Sequence, residues 1–347
     1  MTNLYHRAGV AWTRKGRTGV IQFPDDGFVL GQTEPTWANS GSRIPQASLT
    51  RNETINLITS ADGQVISGLH LPYGRIEVRH RNVTIRDCII NIGWAPAGTG
   101  PGQRINQQQN VAILANADYN TAGLNVEFVT ADPINAGANN TADDDNVSGF
   151  YFMSGARFYR CAVRNVSDAY MPDIKPATPA APVQILGCYA ETRYLPFDDE
   201  TTDGTHNDGV QLTGGDGHII RGNSLHNPTG GGIYPGTTKT VLGQCVVFTP
   251  YHAPLTNVTV DSNWFYGAYT QISLYVAKSY YYGTPTGTVL TGNRHMGQCV
   301  WPILITNEAR TTAIVTANVV GAGGITWNNG FTAAGQAAPI DQVAAPA

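Results

Sequence analysis

A strand-sized block recurs through this chain, and it constrains the fold more than any other feature of the sequence. Its plainest copies are NVTIRDCIIN (82–91), ARFYRCAVRN (156–165), PVQILGCYAE (182–191), HIIRGNSLHN (218–227), NVTVDSNWFY (257–266), GTVLTGNRHM (287–296) and TAIVTANVVG (312–321). A looser copy, LNVEFVTADP (124–133), falls between the first two. Each copy alternates β-branched and other residues over a length suited to a strand, and no long amphipathic helical period competes with it. Alignment brings Cys88, Ala131, Cys161, Cys188, Asn223, Asn263, Asn293 and Asn318 into one column, at steps of 25 to 43 residues. Repeats of roughly 20–50 residues mark a solenoid whose insertions are pushed out on loops. Short strands in each repeat, stacked in parallel, make a parallel β-helix of about eight coils, roughly 40 Å long at ~4.8 Å per rung.

The column has a physical reading of its own. Stacked rungs set equivalent side chains directly above one another, where amides hydrogen-bond as a ladder. A thiol fills the same inward position as a small apolar group. Cys88, Cys161 and Cys188 are therefore expected to be reduced, buried stack members, with Asn223, Asn263, Asn293 and Asn318 as the amide ladder. The chain has five cysteines, an odd number, spread without metal-site spacing, so neither a disulfide framework nor zinc is expected. The 39 glycines and 20 prolines favour many turns over long helices. Residues 1–50 carry no copy of the block and read as an N-terminal cap and attachment segment. Residues 51–330 form the β-helix, and 331–347 read as an Ala/Pro-rich tail, extended or loosely docked.

The stretch THNDGVQLTGGDGHIIRGNSLHN (205–227) holds His206 beside Asp208 and Asp216 beside His218. Two readings stand. Asn, Asp and Gly suit the corners on either side of a GVQL strand. Alternatively Asp203, His206 and Asp208 converge on one edge, fed by the acidic run that also contains Asp198, Asp199 and Glu200. Paired carboxylates there suit glycoside hydrolysis, and a carboxylate cluster with Ca²⁺ and a nearby base suits a lyase. No cofactor is expected otherwise. Trp264, Tyr266, Tyr269, Tyr280, Tyr281 and Tyr282 form a second group, read either as sugar-stacking rings or as packing and subunit contacts.

A net charge of −4 offers no basic field for nucleic acid. The N-terminus lacks the apolar core of a signal peptide, and no apolar run approaches a membrane span. GxSxG, Walker and HExxH motifs are missing.

The blocks NVTIRDCIIN, HNDGVQL and HIIRGNSLHN resemble the right-handed parallel β-helix superfamily of pectate-lyase-like enzymes and phage tail spikes, over residues 50 to 325. Within it the chain is similar to minor tail and tail-spike proteins of tailed phages, particularly those of actinobacteria. That resemblance implies a homotrimer in the virion, joined to other tail proteins through residues 1–50 and meeting host-surface polysaccharide, which some relatives cleave. The chain departs from the enzymatic members. GDGH (215–218) only echoes the Gly-His-Gly of polygalacturonase-like hydrolases, and the basic residues do not pair obviously with a carboxylate site.

Overall fold

The computed structural model describes residues 27–91, 111–115, 119–133, 148–173, 182–192, 207–227, 243–274, 282–306, 312–327 and 330–343. Within them strands dominate and form three long sheets of 11, 10 and 9 members, with a further two-stranded pair. The chain visits the three sheets in turn and then returns to the first. Thus Ala156–Tyr159 lies in the third sheet, Ala162–Val166 in the first, Asp168–Pro172 in the second and Gln184–Leu186 in the third again. The named strand pairs are parallel, with one antiparallel exception between Val319–Trp327 and Gly330–Thr332. Parallel neighbours cannot be joined by a hairpin; here the crossover is the passage through the other two sheets. The arrangement is compatible with a solenoid, and nine rungs of the third sheet span about 38 Å at ~4.8 Å each.

Strand alternation sets the core. In the third sheet Ile85, Val126, Phe158, Ile185, Ile220, Val260 and Leu290 stand in register, each 0% exposed. Their chain neighbours on the opposite face, such as Asn125, Arg157 and Thr259, are only partly buried. Phe158 meets Phe150 and Tyr170 of the second sheet at ring separations of 5.1 and 5.4 Å, closing the space between sheets. A one-residue slip would turn this whole file outward, so burial pins the register.

At the entry to the first sheet runs a file of amides. Asn263 Oδ1 accepts from the backbone N–H of Asn223 at 2.9 Å and from its Nδ2 at 2.9 Å. Asn293 and Asn318 repeat the contact to the rung before them, at 2.8 to 3.2 Å. Each Nδ2 also donates to a carbonyl of the third sheet: Ile185, Ile220, Val260 and Leu290 in order. Below Asn223 the file changes to sulfur. The Cys188 N–H donates to Asn223 Oδ1 at 2.8 Å, and the Cys161 N–H meets Cys188 Sγ at 3.4 Å. Cys88, Cys161 and Cys188 are 0% exposed.

One rung departs from the alignment. Thr130 pairs with Ile89 on one side and Ala162 on the other, which places Val129, not Ala131, level with Cys88 and Cys161. The two-residue slip keeps the same face of the strand inward, so hydrophobic pattern alone cannot distinguish Val129 from Ala131.

The residue just before each file member takes a left-handed conformation: Asp87, Phe128, Arg160, Gly187, Gly222, Ser262, Gly292 and Ala317 all have φ between 49° and 65°. This turns the chain from the third sheet into the first. The N–H of the corner residue donates to the rung beyond, as from Phe128 to Tyr159 O and from Gly222 to Asp261 O, both at 3.0 Å. The corners therefore stack as regularly as the strands.

Residues 27–49 lie lengthwise along these corners. Glu34 Oε1 accepts from Tyr266 Oη at 2.6 Å and Ser224 Oγ at 3.2 Å. Trp37 meets Tyr189 edge-on and carries the Arg164 guanidinium 3.9 Å over its ring. Arg160 donates to Asn39 O, and Arg43 forks onto Asp87 at 2.5 and 2.7 Å. The described part of the expected end cap is thus a strap that crosses the rungs from Ser262 to Asp87. A Cβ on Gly222 would stand 2.6 Å from Gly31 N, and one on Gly187 2.8 Å from the Phe28 ring. Both corners also need positive φ, which glycine adopts without penalty. Gly222→Ala is expected to cost about 1–3 kcal/mol and to free the strap for cleavage. Limited proteolysis with N-terminal sequencing, alongside thermal melting, checks both effects.

The described part of the Ala/Pro-rich end, up to residue 343, is built into the sheets. Gly330–Thr332 pairs antiparallel at the edge of the first sheet, and Ile340–Val343 adds a parallel last strand to the second. An open edge leaves N–H and C=O groups without partners, and this segment supplies them.

Candidate functional site

The stretch singled out in the sequence divides into three parts. Asp203 and His206 lie outside the described residues, as do Asp198, Asp199 and Glu200. Asp216 and His218 serve the corner. Asp216 Oδ1 accepts from Thr256 Oγ1 and Asn257 Nδ2, while His218 is 1% exposed. His218 Nδ1 accepts from Val183 N at 3.0 Å and its Nε2 lies 2.8 Å from Gly214 O. With both ring nitrogens engaged, burial lowers the His218 pKa and keeps the ring neutral.

Asp208 begins the second-sheet strand Asp208–Leu212, next to Asp168–Pro172 on one side and Gln244–Phe248 on the other. The Asp208 N–H donates to Asp168 Oδ1 at 2.9 Å. The two carboxyls are 8% (Asp168) and 2% (Asp208) exposed, and Asp208 Oδ1 is buried without a hydrogen-bond partner. Burial raises the Asp168 pKa to about 7. Burial, reinforced by the neighbouring Asp168 charge, drives Asp208 well above the carboxylate range. Like charges this close in a dry site do not both ionise, so the pair holds a proton near neutral pH. In chain order the first-sheet strands Tyr189–Thr192 and Ser224–Asn227 are followed by the second-sheet strands Asp208–Leu212 and Gln244–Phe248.

The aromatic candidates separate by exposure. Trp264 is 6% exposed, with the Arg294 guanidinium 4.5 Å above its ring. Tyr266 stacks on His226 at 4.2 Å and donates to Glu34 under the strap; burial, reinforced by Glu34, raises the Tyr266 pKa, and burial alone lowers that of His226 to about 4. Tyr269 packs edge-on against Trp301 at 5.1 Å. Tyr282 is 56% exposed, and Tyr280 and Tyr281 lie outside the described residues.

Sequence reasoning passed over a polar cluster at the end of the second-sheet strands. Asp173 Oδ2 accepts from Tyr151 Oη at 2.5 Å, and its Oδ1 lies 2.6 Å from His252 Nε2 and 3.2 Å from Thr213 Oγ1. No spacing in the sequence announces it, because four separate rungs contribute. Beneath the strap, Phe28, Asn39, Ser42, Arg43, Phe128 and Arg160 line a cavity of about 340 Å³.

All five cysteines are free and buried. Burial raises Cys88 to about 11, Cys299 to about 12, and Cys161 and Cys245 upward as well; Cys188 shifts down, its contacts with Cys161 and Tyr170 outweighing burial, but it is 0% exposed and out of a disulfide reagent's reach. Thiolate is the reactive form. Native protein is therefore expected to show no fast-reacting thiol toward a disulfide reagent, and denatured protein five.

Among the described residues no group of three or more His, Cys, Asp or Glu could hold a metal ion, and no helix is long and apolar enough to cross a membrane. Comparison with known proteins gave no match to a family model, a curated protein or a solved structure.

Proposed function

We propose that the chain is a right-handed parallel β-helix of the pectate-lyase-like type, of about eight coils, and that it serves as a tail component of a phage virion. On this reading three copies associate, residues 1–50 join them to neighbouring tail proteins, and the flank meets host-surface polysaccharide. The observation that supports it is the in-register stack. A rod whose core, amide file and strap fix each rung presents its surface groups with little ordering cost on binding. Light scattering on the purified protein is expected to give three times the 37.1 kDa chain mass. A single-chain mass at micromolar concentration would contradict the tail-spike assignment.

The Asp168–Asp208 pair favours a second reading, a polysaccharide lyase or hydrolase working through Asp208 with Asp203 and His206. A carboxyl that keeps its proton near neutral pH has the state a general acid needs. Reducing ends or an unsaturated product from cell-surface polysaccharide, lost in Asp208→Asn, are the expected signs. No product from the wild-type protein would remove this reading.

A further inference from the structure

The buried file is weakest where it changes from amide to sulfur. From Asn223 to Asn318 each rung is joined to the next by two bonds onto one Oδ1, at 2.8 to 3.2 Å. Between Cys161 and Cys188 the side chains contribute one N–H···S contact of 3.4 Å, and sulfur is a weak acceptor. The strand that follows Cys161, Ala162–Val166, also shifts register against Tyr189–Thr192 between Arg164 and Val166.

The same two rungs hold their thiols in position for a cross-link. Tyr159 pairs with Leu186 and Ala162 with Tyr189, so Cys161 and Cys188 stand level on adjacent rungs. Their Cα atoms are therefore about 4.8 Å apart, inside the roughly 4.4–6.8 Å that a disulfide spans. Both sulfurs take the same direction, Cys161 toward Tyr159 O at 3.6 Å and Cys188 toward Leu186 O at 3.5 Å. The thiols also act on each other. Burial and Cys188 raise Cys161, while Cys161 and Tyr170 outweigh burial at Cys188 and hold it below the usual thiol value. Cys88 stands apart. Val129 occupies the rung between it and Cys161, which leaves those two cysteines about 9.6 Å apart along the file and out of bonding range. Cys245 and Cys299 belong to other strands, Gln244–Phe248 of the second sheet and Arg294–Cys299 of the first.

We propose that Cys161 and Cys188 form an oxidation site, which a peroxide closes into a disulfide joining the two rungs. Cys188 is the attacking thiol. Its sulfur takes one oxygen from hydrogen peroxide to become a sulfenic acid, and the other oxygen leaves as water. The Cys161 sulfur then bonds to the Cys188 sulfur and displaces the second oxygen, also as water. Two thiols and one peroxide thus give one disulfide and two waters; the sulfurs lose two electrons and the peroxide gains them. A disulfide reagent is too large for this closed file. Hydrogen peroxide is little larger than water and enters during brief openings of the weakly bonded rung. The new bond forfeits the contacts to Tyr159 O and Leu186 O, so dithiothreitol should reverse it readily. The site stands independently of what the protein binds.

The test holds the native full-length protein in millimolar hydrogen peroxide, then denatures it and alkylates it with N-ethylmaleimide for mass spectrometry. Trypsin cuts after Arg160 and Arg164, which releases Cys161 on a short peptide separate from Cys188. Untreated protein should take up five maleimides, one for each free cysteine, and peroxide-treated protein two fewer. The Cys161 peptide should then be found linked to the one carrying Cys188. Cys88→Ala should form the same link, and Cys161→Ala should form none. Oxidised wild type is expected to melt about 3–6 °C above the same sample after dithiothreitol. A link between any other pair, a Cys188 sulfinic acid without a link, or five free thiols after prolonged exposure would overturn the proposal. Equal melting of the linked and reduced forms would overturn the claim that the bond reinforces the file.

Discussion

Asn263→Ala is expected to destabilise the protein by about 4 kcal/mol, far beyond the roughly 1 kcal/mol of an average substitution. The side chain is 0% exposed and stands between two like neighbours. Alanine would strip the acceptor from both the backbone N–H and the Nδ2 of Asn223, and the donor from Ile220 O. Leaving a buried donor or acceptor without a partner costs about 1–3 kcal/mol each, and the empty volume adds to it. Asn318 makes the same kinds of bond at the open end of the file, where it is 7% exposed. Water can replace a partner there, so Asn318→Ala should cost less than half as much. Urea unfolding of the two variants, compared at equal m-value, measures the contrast. Equal small losses would show that the amides are not linked rung to rung.

Stability is also expected to fall as pH rises through the neutral range. Asp168 and Asp208 bind protons more tightly folded than unfolded. Their contribution is fully present below the unfolded carboxylate pKa, near 4, and is lost as pH climbs through the folded value, about 7 for Asp168. A shift of that size corresponds to about 4 kcal/mol between the two limits. The doubly substituted Asp168→Asn, Asp208→Asn protein keeps an oxygen to accept the Asp208 backbone N–H and removes the titration. It should lose most of this slope and be more stable than wild type at pH 8. Melting temperatures of both proteins from pH 4 to 9 check this. A wild-type curve that rises steadily with pH would contradict the buried pair. The same substitution separates structure from chemistry, since a stabilised variant with no depolymerase activity would locate the general acid at these carboxyls.

Much of the scaffold was legible because its signal is local and repeated. An Asn or Cys between two alternating apolar runs recurs with each circuit, and that recurrence alone pointed to Cys161, Cys188, Asn223, Asn263, Asn293 and Asn318 as one file. It failed at Val129, where a slip of two residues leaves the apolar pattern unchanged. The left-handed corner before each member was in plain view as Asp, Gly and Ser, but Phe128, Arg160 and Ala317 occupy the same place and hid the column. The strap could not be read at all. Glu34 meets Tyr266 and Asn39 meets Arg160 across separations of 232 and 121 residues, and no periodicity links them. The candidate site follows the same division. Asp208 drew notice for its neighbours in sequence, yet its partner is Asp168 on the preceding rung. His252 and Asp173 come together only because their strands stack. Exposure, too, is a property of the assembled sheets, which is why Trp264 and Tyr282 looked alike in the sequence and differ in the fold.

The central claim is that successive circuits lie in strict register, so that the amides of Asn223, Asn263 and Asn293 form one buried chain of bonds. Hydrogen exchange of the side-chain NH₂ groups, followed by NMR on ¹⁵N-labelled protein, tests it most directly. These three amides should keep their protons for hours or longer, while that of Asn257, on the exposed corner, exchanges too fast to follow. Loss of all three at the rate of Asn257 would contradict the stacked register.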